Sequence, residues 1–129
     1  MSSVVLNPDT VCRPVGPYSQ AVLSKGPSEI MHIAGQVGLN ARGELLPDFA
    51  GQCEQAWTNI IEILHSAGMD IHNVVKVTTY VTDESMLPLL GPIREKFLGT
   101  ARPAATLIIV KALARKDWLV EIEATAIKH

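Results

Sequence analysis

Between Asp48 and Gly68 the chain spells one long amphipathic helix with both ends marked. Asp48 has the short carboxylate that accepts from the free N–H groups of a first turn. Phe49, Cys53, Ala56, Ile60, Ile63, Leu64 and Ala67 then recur at helical spacing. Gly68 stands where a helix end uses a left-handed glycine. Gln52, Gln55, Asn59 and Glu62 fall on the other side, so one face is expected to be buried and this polar one solvated. A helix with a single apolar stripe needs a second layer to cover it.

The following segment, Val74 to Thr82, supplies that layer. Val75, Val77, Thr79 and Val81 are expected on one face, and Lys76, Thr78, Tyr80 and Thr82 on the other. Trp118 to Ile127 repeats the pattern, with Val120, Ile122, Ala124 and Ala126 opposite Glu121, Glu123 and Thr125. Thr106 to Lys111 reads as another strand. Asp83 stands ready to cap a second helix, interrupted by Pro88 and Pro92, continued through Ile93, Phe97 and Leu98, and stopped by Gly99. Toward the N-terminus, Val4 to Leu6 reads as a short strand. Ala21 to Ser24 and Ile30 to Ala34 read as a hairpin across Lys25-Gly26-Pro27. Asn40-Ala41-Arg42-Gly43 is a further turn. The order β-β-(β)-α-β-α-β-β predicts an α+β fold, a mixed sheet with both helices on one face. The other sheet face is left to explain, and packing against another subunit would explain it.

With 129 residues and no linker or repeat, residues 1–129 are expected to form a single domain. Hydrophobic residues make up 47% and charged residues 19%, which argues against disorder. The net charge of -2 and the pI near 6.0 leave no basic stripe, so nucleic acid is a poor partner. No signal peptide is visible in the first ten residues. The apolar run from Ala104 to Val110 is far too short to span a bilayer. Cys12 and Cys53 form no disulfide framework or metal spacing, and the expected compartment is the cytoplasm. His32, His65, His72 and His129 have no ligand spacing, so no metal is expected. Ser19, Ser24 and Ser28 lack an esterase elbow, and Gly35-Gln36-Val37-Gly38 is no phosphate loop.

Few residues could carry chemistry. Glu121 and Glu123, two apart on a strand, share a face at about 6–7 Å. Paired carboxylates can divide acid and base roles, although a solvated strand face is their commoner use. Arg102, just before Pro103, could hold a substrate carboxylate in a bidentate pair, where a plain surface arginine is the commoner reading. Tyr18, after Gly16-Pro17, could donate a hydrogen bond to a ligand or simply pack over a loop. These residues alone name no reaction.

Five motifs in order do. They are Gly16-Pro17-Tyr18-Ser19-Gln20-Ala21-Val22, Ile33-Ala34-Gly35-Gln36, Val74-Val75-Lys76-Val77-Thr78, Arg102-Pro103-Ala104-Ala105-Thr106 and Val120-Glu121-Ile122-Glu123-Ala124. With them the chain resembles, over nearly its whole length, the RidA/YjgF family of enamine/imine deaminases, also labelled endoribonuclease L-PSP. The resemblance implies a chorismate-mutase-like fold. It implies a homotrimer in which three sheets form a central β-barrel, with small-molecule ligands in the clefts between subunits. The implied reaction turns small 2-imino or 2-enamine acids into 2-keto acids and ammonia, with no cofactor. Tyr18, Gly35 and Glu121 match pocket positions, and the counterpart of Glu121 orients the attacking water.

The sequence departs from the family at two positions. Active members grip the substrate carboxylate with an arginine in a Pro-Ala-Arg motif, and Ala105 stands there. Arg102 lies three residues earlier, which points it to the other face of a strand. The asparagine that the family often carries in its second helix is replaced near Gly91. An anion would then be held by backbone N–H groups near Ala105 and Leu107, or by an arginine such as Arg102, Arg94 or Arg13 of a neighbouring subunit. Two readings follow: a deaminase using Glu121 and Tyr18, or a non-catalytic ligand-binding or regulatory trimer. The acidic balance argues against the ribonuclease or translation-inhibitor role that the older label suggests.

Overall fold

The computed structural model describes residues 2–129; Met1, the first residue of the expected 1–129 domain, lies outside the described residues. Its strands are β1 (Ser3–Leu6), β2 (Ala21–Ser24), β3 (Glu29–Gln36), β4 (Val74–Val81), β5 (Ala104–Ile109) and β6 (Val120–Lys128). Its helices are α1 (Phe49–Ser66) and α2 (Leu87–Leu98). This is the expected mixture of α and β.

The signals at the ends of α1 work as read. The Asp48 carboxylate accepts from the Gly51 N–H at 2.8 Å, and Gly68 takes a φ of 69° just beyond the last turn. Asp83 caps a 3₁₀ turn (Glu84–Met86) rather than α2 itself. Pro88 sits in the first turn of α2, and the helix runs on through Pro92 to Gly99 at φ 57°. Both prolines are therefore tolerated within one continuous helix.

Four strands form one sheet in the order β3-β6-β4-β5. β6 is central and pairs antiparallel with β3 and β4; β5 runs parallel to β4. The expected early hairpin is corrected. β2 pairs with β1 in a separate two-stranded sheet, and β3 pairs with β6. Pro27 has no N–H to give to a ladder, which breaks the pairing where a hairpin would begin. The flanking groups turn elsewhere: Lys25 N–H donates to Ser2, and Ser28 N–H donates to Lys128.

The core lies between one sheet face and the helices. Val77, Thr79 and Val81 of β4 and Val120, Ile122, Ala124 and Ala126 of β6 are buried there, as the alternation predicts. Val75 departs from its expected face. The β4–β6 register shifts between Val74 and Lys76, and this irregularity puts Val74 into the core instead. Trp57 of α1 is fully buried and stacks on Phe97 of α2 with centroids 6.0 Å apart. Gln52 is the second correction, because it is buried rather than solvated. Its amide donates to the Leu46 and Asp117 carbonyls at 3.0 and 3.1 Å, and its oxygen accepts from the Leu119 N–H at 2.9 Å. Gly38 makes this approach possible, since a Cβ there would lie 2.5 Å from the Gln52 Cα.

Candidate functional site

The segment before β2 is stitched onto the start of β5. Ser19 N–H donates to the Pro103 carbonyl at 2.9 Å, and the Ser19 hydroxyl donates to the Arg102 carbonyl. Ser19 also bridges Ala104 in parallel fashion. This lays Tyr18 beside β5 and closes a cavity of about 380 Å³, lined by Val15, Gly16, Tyr18, Gln20, Arg94, Ala105 and Leu107. Three of the expected residues, Tyr18, Ala105 and Leu107, therefore meet in one place. The Tyr18 hydroxyl oxygen accepts from the Val15 N–H at 3.2 Å, which leaves its own O–H free to donate into the cavity.

Arg94 is the charged cavity residue, and motif reading did not place it here in the same chain. It lies on α2 between Leu90 and Leu98, four residues from each, and both leucines are buried. That helical stripe is the signal: a charge on it must point inward. The Arg94 Nε atom is buried without a hydrogen-bond partner. The ion pair among the described residues joins Lys96 to Glu54 instead, at 3.0 Å. Burial pulls the Arg94 pKa below the usual arginine value, opposed in part by Glu95, the Cys53 thiol and Tyr18. Gly16 keeps the approach open, since a Cβ there would lie 3.3 Å from Arg94 Nη2 and 3.6 Å from the Tyr18 ring.

Glu121 and Gly35 form a second cluster. A Cβ on Gly35 would overlap the Glu121 side chain, lying 2.7 Å from Cδ and 3.0 Å from Cγ, so only glycine leaves that carboxylate its place. Glu121 opposes Tyr80 on β4, and Tyr80 in turn matches Ile108 on β5. The neighbouring pair is locked: Tyr80 donates to Glu123 at 2.8 Å, and that bond raises the phenol pKa, with desolvation and the charges of Glu123 and Glu121 adding to it. Lys76 donates to Thr106 on the same face at 2.7 Å.

The two clusters lie on opposite faces of the sheet. Ala105 and Leu107 are in register with Val77 and Thr79, on the helix side. Glu121 lies on the open side, two strands from β5, or roughly 10 Å away. Within one chain the sheet itself separates Glu121 from the Tyr18 cavity. Arg102 joins neither cluster. Its Nη1 donates to the Gly99 and Ala101 carbonyls at 2.9 and 2.8 Å, tying down the end of α2. It borders another cavity, of about 300 Å³, with Ser3, Val5 and His72. Among the described residues no group of three or more His, Cys, Asp or Glu side chains could hold a metal ion, and no helix is long and apolar enough to cross a membrane.

Comparison with known proteins gives one answer. The profile of a family described as Endoribonuclease L-PSP matches residues 10–128. A 2-iminobutanoate/2-iminopropanoate deaminase of Bos taurus is 40% identical over 116 residues, covering 88% of this chain and 82% of that protein. A RutC family protein of Aquifex aeolicus is also 40% identical, over 89% of this chain and 91% of its own. Among solved structures, the Rid-family protein YyfB of Yersinia pestis, of unknown function, superposes with a TM-score of 0.87. It is 38% identical and covers 98% of this chain and 99% of its own.

Proposed function

The chain belongs to the endoribonuclease L-PSP family, the RidA/YjgF family, and from that premise we propose that it hydrolyses small 2-imino and 2-enamine acids to 2-keto acids and ammonia. The observation that carries this reading is the Glu121 carboxylate lying over Gly35, in space that any side chain at position 35 would take. The reaction consumes one water per imine. Glu121 takes a proton from that water as its oxygen adds to the imine carbon, the carbon-nitrogen π pair moves to nitrogen, and nitrogen takes the proton from Glu121; an enamine enters this course once a proton from solvent adds to its β-carbon and gives the imine. In the resulting carbinolamine Glu121 passes the hydroxyl proton to the amino nitrogen, the carbon-nitrogen bond breaks to release ammonia, and the oxygen's electron pair forms the carbonyl. Tyr18 donates a hydrogen bond and orients the substrate.

The site is shared between copies of the chain. The opposite-face placement of Glu121 and Ala105 supports this, since a cleft using both needs a second subunit. So does the exposed apolar edge of Leu107, Ile108 and Ile109 on β5. A homotrimer closed by the open sheet faces, in the manner of a barrel, satisfies both. In solution its mass by light scattering is then about three times 14.0 kDa.

The test is release of 2-oxobutanoate and ammonia from freshly generated 2-iminobutanoate. Purified protein should accelerate it above the rate in buffer alone; equal rates would overturn the deaminase in favour of a ligand-binding trimer. Gly35→Ala offers a second check. The added methyl displaces the Glu121 carboxylate at an exposed position, so kcat should fall about tenfold or more while the melting temperature barely moves. Unchanged kcat would detach Glu121 from the chemistry.

A further inference from the structure

We propose that Arg94, on α2, is the carboxylate clamp of the Tyr18 cavity. This rests on the reading of the cavity as part of the substrate cleft. Four observations converge. Arg94 lines the same cavity as Tyr18, Ala105 and Leu107. Its Nε is buried and unpartnered, so the fold has taken a guanidinium partly out of water without an ion-pair contact among the described residues. That arrangement is unfavourable unless an anion completes it. Glycine at position 16 leaves the guanidinium room beside the Tyr18 ring. The Tyr18 O–H is free to donate to the same anion.

The alanine at position 105 then has a physical reason. A second arginine at Ala105 would aim its charge into the space Arg94 already serves, and two guanidinium groups in one small cavity repel each other. The two positions are therefore alternatives: one arginine, from either the helix or the strand, with a small residue opposite. The ligand class follows from the lining. A small monocarboxylate places its charge on Arg94 and Tyr18, and a short aliphatic tail on Leu107 and Val15.

The test measures binding and needs no turnover. Titration calorimetry of the intact protein with 2-oxobutanoate should give saturable binding that weakens with salt, whereas 2-butanone, which lacks the carboxylate, should bind at least tenfold more weakly. Arg94→Gln should lower the 2-oxobutanoate affinity about 10- to 100-fold, the range of a charge-assisted pair, and abolish the salt dependence. Arg94→Lys should recover part of the loss. The decisive variant is Arg94→Gln combined with Ala105→Arg, which should restore binding because the clamp has moved to the strand. Thermal unfolding of each variant verifies the fold. Equal affinity in wild type and Arg94→Gln overturns the proposal, as does a wild type that binds no 2-oxobutanoate. Arg94-dependent binding without imine hydrolysis keeps the clamp and removes the deaminase. Hydrolysis indifferent to Arg94→Gln keeps the deaminase and removes the clamp.

Discussion

Glu121→Gln should slow hydrolysis of 2-iminobutanoate by on the order of a hundredfold to ten-thousandfold, the usual contribution of a positioned acid–base group. The substitution keeps the size of the side chain and its seat against Gly35, so the sheet is undisturbed. An amide cannot take the proton of the attacking water, and the loss should appear in kcat. KM should change little, because substrate charge is held by other groups. The neighbouring Glu123 does not substitute, since its carboxylate already accepts from Tyr80 at 2.8 Å. Rates measured at substrate concentrations spanning KM separate the two constants. A Glu121→Gln protein with wild-type kcat would place the proton transfer elsewhere.

Gln52→Leu should cost about 2–6 kcal/mol of folding stability, because three backbone groups lose their partners at once, two of them on half-buried residues, and each buried unsatisfied group costs about 1–3 kcal/mol. Those groups are the carbonyls of Leu46 and Asp117 and the N–H of Leu119. The side chain thus ties α1 to the loop before it and to the approach to β6. A domain holds only about 5–15 kcal/mol in total, so the variant should be close to unfolding at 37 °C. The volume and burial of leucine suit a core, so a hydrophobicity scale would expect the opposite sign. Urea unfolding with an unchanged m-value measures the difference. A loss below about 1 kcal/mol would mean that water replaces the amide without penalty.

Gln52 also shows where sequence reading reaches its limit. The period of α1, its Asp48 cap and its Gly68 stop are local signals, and the helix forms where they say. The alternation of β6 is likewise local and correct over all its core positions. Which side of α1 is solvated depends on what lies across from it, and the Gln52–Asp117 hydrogen bond spans 65 positions of sequence. The hairpin failed for the same reason. Ala21 to Ser24 and Ile30 to Ala34 are both strands, but their partners, β1 and β6, are chosen by distant ladders.

The candidate residues divide along the same line. Motif order put Tyr18, Gly35, Ala105, Leu107 and Glu121 in one expected pocket, whereas the structure brings Tyr18, Ala105 and Leu107 to one cavity and sets Glu121 against Gly35 in another place. Motif order could not say that the two groups face opposite sides of the sheet, because that depends on β4–β5 register. Arg102 looked available from its position before Pro103, yet the carbonyls at the end of α2 already hold it. Arg94 carried a legible signal in the Leu90–Arg94–Leu98 stripe, which assigns direction but not destination.

The most direct measurement is a crystal structure of the assembled protein with 2-oxobutanoate. The expected result places the keto acid in a cleft between two subunits. Its carboxylate lies on Arg94 and Tyr18 of one subunit, and its carbonyl carbon faces a water that donates to the Glu121 carboxylate of the next at about 3 Å. A ligand bound elsewhere, or an assembly in which no interface brings Glu121 of one subunit to the Arg94 cavity of another, would contradict it.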